Sequence, residues 1–484
     1  MGKNKGLTIL FAASEALPFA KTGGLGDVAG GLPRALAEAG CSVAVLLPLY
    51  GCIDKNKLQK TASSITVMIG GRPYITTLYK KEVFPGVTHW FLHQPELYYS
   101  RPNIYGDQNG DYPDNDARFI FFNRVLAEFP AAANLRPDVV HVNDWHLGLA
   151  PLYLKLLPQG HPMRGTPSVF SIHNLAYQGL FPRESYPLTG LPEKYFSDDG
   201  VEIWGKINFM KAGILFADAV TAVSPTYAKE ILGKELGFGL EKPLNRRKKS
   251  LFGILNGIDA DEWNPATDKH LPAAYSAKKM AGKVKCREAL LKKFSLPDVP
   301  GRAVVGIVSR MVEQKGFGLI TAAEKELMKL NIALVVLGTG QPKYENELRD
   351  IAKKHPGRVG LTIGYDEGLA HLIEAGSDLF LMPSHFEPCG LNQMYSLRYG
   401  TVPVVRATGG LADTVVNWQP AGKKGNGFLF KAATPQAFVA SVKNALKAFG
   451  NKKEWNRIVQ NGMAEDHSWR KSAERYLALY RTLV

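Results

Sequence analysis

The chain has 484 residues, 45% of them apolar and 21% charged, with a formal net charge of +15 at pH 7. Such a length exceeds one ordinary core and predicts two or three domains, and the composition is that of a water-soluble globular protein, not of a disordered chain. No apolar run nears the ~20 residues that cross a bilayer, and the four cysteines lack CxxC spacing, which argues against a zinc or disulfide framework and fits a reducing cytoplasm.

Strand-like and helix-like segments alternate from end to end. In the first half, 8–12, 43–47, 139–142, 169–172 and 219–223 read as strands, and 27–39, 116–129 and 204–216 as helices. The run from Leu7 to Ala13 follows Lys3 and Lys5 and leads straight into structured-looking sequence, so it reads as a first strand and not as a signal peptide. Residues 65–93 read as a β-rich insertion, with strands at 65–69, 75–79 and 88–92. The polar, basic stretch 245–250 is the best domain boundary. Its run Arg246-Arg247-Lys248-Lys249 is the densest positive charge and has no interleaved aromatics, so a solvated loop is expected there, with no nucleic-acid partner.

In the second half, strands are predicted at 303–308, 333–337, 359–363, 379–382 and 402–405. Helical spacing covers 321–330, 344–354, 369–375 and 435–448, and a last helix is expected within 468–483. Alternation of this kind predicts an α/β chain of parallel, doubly wound sheets. The expected domains are 1–245 and 251–460, with 461–484 packing back on the first. In such sheets ligands bind beyond the carboxyl ends of the strands, so motifs at strand ends carry the functional information.

The most informative stretch is Pro383-Ser384-His385-Phe386-Glu387-Pro388-Cys389-Gly390-Leu391. It follows a buried strand and precedes a helix from Asn392, so Glu387 stands in a crossover beside the backbone N–H groups of Gly390 and Leu391, a setting that suits phosphate. A carboxylate that grips hydroxyls beside a phosphate cradle suggests a phosphorylated sugar; an ordinary Pro-Gly turn with a solvated Glu is the plainer alternative. Lys21-Thr22-Gly23-Gly24-Leu25-Gly26-Asp27 opens the first helix without being GxGxxG or a P-loop, and Lys21 could reach an anion from the side. Arg310 and Lys315 leave another strand end on one loop and suit a diphosphate, the first as a fork and the second as a point charge. His173 ends a further strand and could contact a substrate hydroxyl or be a satisfied structural His. Asp144 could be an acid, a base or a helix cap, and capping is the common role. There is no HExxH or GxSxG.

Taken together, these motifs make the chain resemble the bacterial glycogen synthase and plant starch synthase family over essentially its whole length. The resemblance rests on Lys21 through Val28, Asp144-Trp145-His146, His173 through Gly179, Asn256-Gly257-Ile258-Asp259, Arg310 through Gly316, Phe386 through Leu391, and Thr408 through Thr414. It implies a GT-B fold, meaning two facing Rossmann-like domains with a deep cleft between them. It implies retaining transfer of glucose from ADP-glucose to the non-reducing-end 4-hydroxyl of an α-1,4-glucan, in the cytoplasm, with no cofactor, no metal and no membrane partner. UDP-glucose or another glucan is the alternative. Arg310 and Lys315 would hold the diphosphate, aided by Lys21 and by the backbone at Gly24, Gly390 and Leu391. Glu387 would hold sugar hydroxyls, His173 the glucose, Asn256 would line its pocket, and Tyr365 would pack on the adenine. Asp27 and Cys389 lie within the matching binding motifs, and Asp144 matches an acidic position facing the reaction centre. Two positions depart from the wider superfamily: Tyr395 replaces a second Glu, and Asn392 replaces a Thr.

Overall fold

Near-continuous runs of Val, Ile, Leu and Ala make most of the strands buried on both faces, which is the pattern of a parallel sheet covered by helices. The computed structural model describes residues 6–484. The chain divides into two units: the first runs to Gly257 and takes in Trp469–Val484, and the second is Ile258–Ser468.

The first unit is built on a nine-stranded sheet. From one edge it runs through Leu251–Gly253, Ala219–Ala222, Ser168–Ile172, Val139–Asn143, Thr8–Ala12, Ser42–Pro48, Val87–His93 and Arg72–Phe84 to Gln59–Ile69. The pairings from Leu251–Gly253 to Val87–His93 are parallel, and the last two are antiparallel. The β-rich insertion thus extends the sheet instead of forming a separate layer. The C-terminal helix Trp469–Arg481 belongs to this unit and packs on helix Gly24–Glu38. A buried polar chain ties it down: the Tyr480 hydroxyl lies 2.6 Å from His141 Nδ1, His141 Nε2 lies 2.6 Å from Ser171 Oγ, and Ser171 Oγ lies 2.5 Å from Thr221 Oγ1. Burial holds His141 neutral, with its pKa pushed down to about 3.

The second unit holds a six-stranded parallel sheet in the order Val359–Ile363, Ile332–Gly338, Ala303–Val308, Leu379–Met382, Val402–Arg406, Phe428–Phe430. Side chains alternate between two cores along each strand. Val305, Ile307, Leu334, Val336, Leu379 and Leu381 enter one, and Val304, Ala333, Val335, Leu337, Phe380 and Met382 enter the other. The period of two puts a helix layer on each face.

Three expectations shift. The strand Leu251–Gly253 pairs with Ala219–Ala222, so the units divide after Gly257, a few residues beyond the basic stretch. The helix expected at 204–216 begins only at Phe209, because Trp204 and Gly205 turn the chain between the short strands Glu202–Ile203 and Lys206–Asn208. The helix expected at 321–330 is two short pieces, Phe317–Ala322 and Glu324–Leu327. No helix among the described residues is long and apolar enough to cross a membrane.

Candidate active site

Every loop singled out from the sequence follows the carboxyl end of a parallel strand. In the first unit Lys21 follows Thr8–Ala12, Asp144 follows Val139–Asn143, His173 follows Ser168–Ile172 and Asn256 follows Leu251–Gly253. In the second unit Arg310 and Lys315 follow Ala303–Val308, Tyr365 follows Val359–Ile363 and Glu387 follows Leu379–Met382.

The glycine-rich loop of the first unit is held by a residue the sequence reading missed. The buried Glu15 carboxylate accepts from Thr22 N at 2.6 Å, Thr22 Oγ1 at 2.6 Å, Gly23 N at 3.0 Å and the Tyr105 hydroxyl at 2.7 Å. It fixes the entry to helix Gly24–Glu38, whose cap residue Gly23 supplies no side chain. Lys21 and Asp27 are ion-paired at 2.7 Å. Burial raises the Asp27 carboxyl above its usual range, against the opposing pull of Lys21.

Beside it, Asp144 adopts φ 56° and ψ 179°, a region that non-glycine residues avoid. The twist lets its carboxylate accept from His173 N at 2.8 Å. Burial pushes its pKa up to about 7, with the backbone hydrogen bonds from His173 and Asn174 opposing. Asn143 Nδ2 donates to Ala12 O at 2.9 Å, which turns its Oδ1 toward His173 Nε2, 2.9 Å away. Burial holds His173 neutral, its pKa lowered to about 3, so Nε2 carries the proton and Nδ1 is left as a lone-pair acceptor. Such an atom accepts from a hydroxyl. Asn143, adjacent to Asp144 in the motif, is therefore the residue that orients His173. Asn256 is buried, and its Oδ1 has no hydrogen-bond partner among the described residues.

In the second unit two loops close on each other. Lys315 Nζ lies 2.8 and 2.6 Å from the Glu387 carboxylate oxygens, and Ser384 Oγ donates to Glu387 at 3.0 Å. His385 N donates to Gln314 O at 2.8 Å, and Gln314 Nε2 donates to Phe386 O at 3.3 Å. Gly316 and Gly409 have φ of 75° and 44°, and a Cβ on either would collide with the backbone carbonyl of Pro383 or of Glu387. Only glycine lets the neighbouring loops press so close to this turn. Gly390, φ 72°, leads through Leu391 into the seven-residue helix Asn392–Arg398, and Cys389 is buried behind them. Arg310 is exposed, and its guanidinium has no partner among the described residues. Tyr365 is 84% exposed.

The two departures have structural explanations. Asn392 Nδ2 lies 3.4 Å from Val308 O and 3.4 Å from Glu374 Oε1, so it is taken up inside the unit. Tyr395 stacks on Trp263, ring centroids 3.7 Å apart and 7° from parallel.

Parallel sheets in two units, each with cations, amides and hydroxyl acceptors along one edge, define the class of GT-B glycosyltransferases, and comparison with known proteins narrows it. Residues 8–246 match the family model for the starch synthase catalytic domain, and residues 291–463 match that for glycosyl transferases group 1. A glycogen synthase from Anaeromyxobacter dehalogenans is 49% identical over 479 residues, covering 99% of this chain and 100% of the relative. One from Myxococcus xanthus is 44% identical over 482 residues, with the same two coverages. The solved catalytic domain of starch synthase IV from Arabidopsis thaliana, bound to ADP and acarbose, has a TM-score of 0.90 at 35% identity and 99% coverage of both chains. Sucrose-phosphate synthase from Thermosynechococcus elongatus, 16% identical with a TM-score of 0.62 and 99% coverage of both chains, shares the fold. The chain belongs to the glycogen synthase family and is a hexosyltransferase.

Proposed function

We propose that the chain elongates an α-1,4-glucan by transferring glucose from ADP-glucose to the non-reducing-end 4-hydroxyl, with retention at the anomeric carbon. The observation that carries this reading is the Lys315–Glu387 pair: a cation and a carboxylate from two neighbouring strand ends, 2.6 Å apart, with the unpartnered guanidinium of Arg310 on the same loop as Lys315. Breaking the donor bond builds negative charge on the departing diphosphate and positive charge on the sugar ring. Arg310 and Lys315 stabilise the first, and Glu387 holds sugar hydroxyls and offsets the second. Such groups accelerate the step because they act on charge that develops only in the transition state. When the diphosphate engages Lys315, the Glu387 carboxylate is released toward the sugar.

His173 accepts from a glucose hydroxyl through Nδ1, Asn256 adds its unpartnered Oδ1, and Asp144 holds the His173 loop near the reaction centre. Lys21 with Gly24, and the backbone at Gly390 and Leu391 behind Cys389, contribute to diphosphate binding, with Asp27 setting the direction of Lys21. Tyr365 packs on the adenine. The bound ADP of the Arabidopsis relative supports the adenine nucleotide. The first unit serves the acceptor and the second the nucleotide sugar.

The experiment supplies purified protein with a glycogen primer and ADP-glucose or UDP-glucose in turn. Turnover with ADP-glucose should exceed that with UDP-glucose, and Glu387→Ala and Lys315→Ala should each lose ~100-fold or more, the usual effect of removing one such group. Wild-type rates in both variants would overturn the site, and a preference for UDP-glucose would overturn the donor. Because Arg310 and Lys315 neutralise the diphosphate, activity should persist in EDTA; a large loss restored by magnesium would refute that role.

A further inference from the structure

A second constellation lies in the second unit. Asp268 is buried, and its Oδ2 accepts from His371 Nδ1 at 2.7 Å and from the Tyr399 hydroxyl at 2.5 Å, while its Oδ1 accepts from His270 N at 2.8 Å. A carboxylate with these donors fixes the tautomer of His371: Nδ1 bears the proton and Nε2 presents its lone pair. His371 is 1% exposed, and Nε2 has no hydrogen-bond partner among the described residues. Buried polar atoms are rarely left so. The ring cannot turn away to find a partner, since Trp263 stacks on it at 3.8 Å and 12°.

Two further donors lie beside this ring. Glu367 stands four residues before His371 on helix Glu367–Gly376, one turn away on the same face. The His270 ring lies 4.7 Å from that of His371. One ligand atom from each of His270, Glu367 and His371 falls within 4.8 Å of the others. Tetrahedral zinc at about 2.0–2.1 Å from each donor needs them roughly 3.4 Å apart. Zinc would therefore draw the donors closer together, and Glu367 is exposed and His270 half-buried.

We propose that His270, Glu367 and His371 bind a divalent transition metal, zinc before others, with solvent in the fourth position and Asp268 as the carboxylate that orients His371. Two imidazoles and one carboxylate suit zinc better than magnesium or calcium, which take oxygen donors. An orienting carboxylate on the far ring nitrogen is the usual support of a zinc-bound histidine. The ion ties the first turn of helix Glu367–Gly376 to the segment carrying Asp268 and His270, and Tyr365 stands two residues before that turn. Sequence reading missed the site because its ligands are a hundred residues apart and only Glu367-x-x-x-His371 is local.

The measurement is zinc binding to the whole chain after chelator stripping, by competition with a chromophoric chelator, with cobalt as a spectroscopic probe. One equivalent of zinc should bind at micromolar concentration or tighter, cobalt should give tetrahedral-type visible bands, and zinc should raise the melting temperature. Glu367→Gln and His270→Ala alter a surface and a half-buried side chain and should still fold. Each should weaken binding at least tenfold and abolish the melting shift. No stoichiometric binding by the wild type, or affinity unchanged in both variants, would overturn the proposal. None of these readouts depends on glucosyl transfer, so the outcome is separate from that of the proposed function.

Discussion

Each unit places a lysine–carboxylate pair beyond the carboxyl ends of its parallel strands, yet the two pairs differ in burial. Lys21 and Asp27 meet at 2.7 Å with side-chain exposures of 39% and 19%, and Lys315 and Glu387 meet at 2.6 Å with exposures of 20% and 7%. An exposed pair gains little over hydration, whereas removing one partner of a buried pair leaves a charge without solvent or counter-ion. The surroundings differ in the same direction. The first unit sets its site with buried hydrogen-bonded side chains that pin backbone and ring: Glu15 on the glycine loop, Asp144 on His173 N, Asn143 on the His173 ring. The second sets its site with charge. A hydroxyl acceptor needs a fixed tautomer, and a diphosphate needs cations.

This contrast can be broken most directly at Glu387. Glu387→Ala should destabilise the second unit by about 3 kcal/mol, the usual cost of stranding one partner of a buried pair. Chemical denaturation of the variant checks this, and restoration of stability by the double variant Lys315→Met/Glu387→Leu would show that the stranded charge is the cause.

Acid should next separate the units. Burial lowers His89 to about 4, His141 and His173 to about 3, and His146 well below its usual value, and all four lie in the first unit. The unfolded chain binds protons at these sites from pH 6.5 downward while the folded chain does not. The stability they contribute is therefore present above pH 6.5 and lost as pH falls from about 6.5 to about 3, by on the order of 1 kcal/mol or more for each histidine. Asp144, raised to about 7, and Asp27, also raised by burial, oppose this in part. In the second unit burial raises Glu374 to about 8, so its contribution runs the other way and declines as pH rises from 4.5 through 8. Hydrogen exchange at pH 5 should show the first unit opening before the second; uniform loss of protection would break the contrast.

The smallest effect belongs to the exposed pair. Lys21→Met should cost under about 1 kcal/mol, read by denaturant titration, while its KM for the donor should rise more than its kcat falls. A stability loss as large as that of Glu387→Ala would erase the difference between the pairs.

Much of this was legible in the sequence. The strands at 8–12, 303–308, 359–363 and 379–382 have the bounds that their apolar runs predict, because a strand buried on both faces announces itself by composition. The loops bearing Lys21, Asp144, His173, Arg310 and Glu387 were legible as strand ends for the same reason. Glu15 and Asn143 were not: a buried carboxylate that receives loop N–H groups looks, in one dimension, like any acidic residue. The pairing of Lys21 with Asp27 hid in the same way, and so did Asp268 between His270 and His371.

The sequence by itself determined the alternation of strand and helix, the strand ends where chemistry collects, and the family to which the chain belongs. Local apolar periodicity and short motifs are properties of neighbouring residues, and they survive in a linear reading. Only the tertiary structure decided which charges neutralise each other, which histidine nitrogen carries the proton, and which buried atom lacks a partner. Those depend on groups from distant segments meeting within a hydrogen bond's length, where removal of water turns ordinary side chains into ion pairs, fixed acceptors and shifted acids.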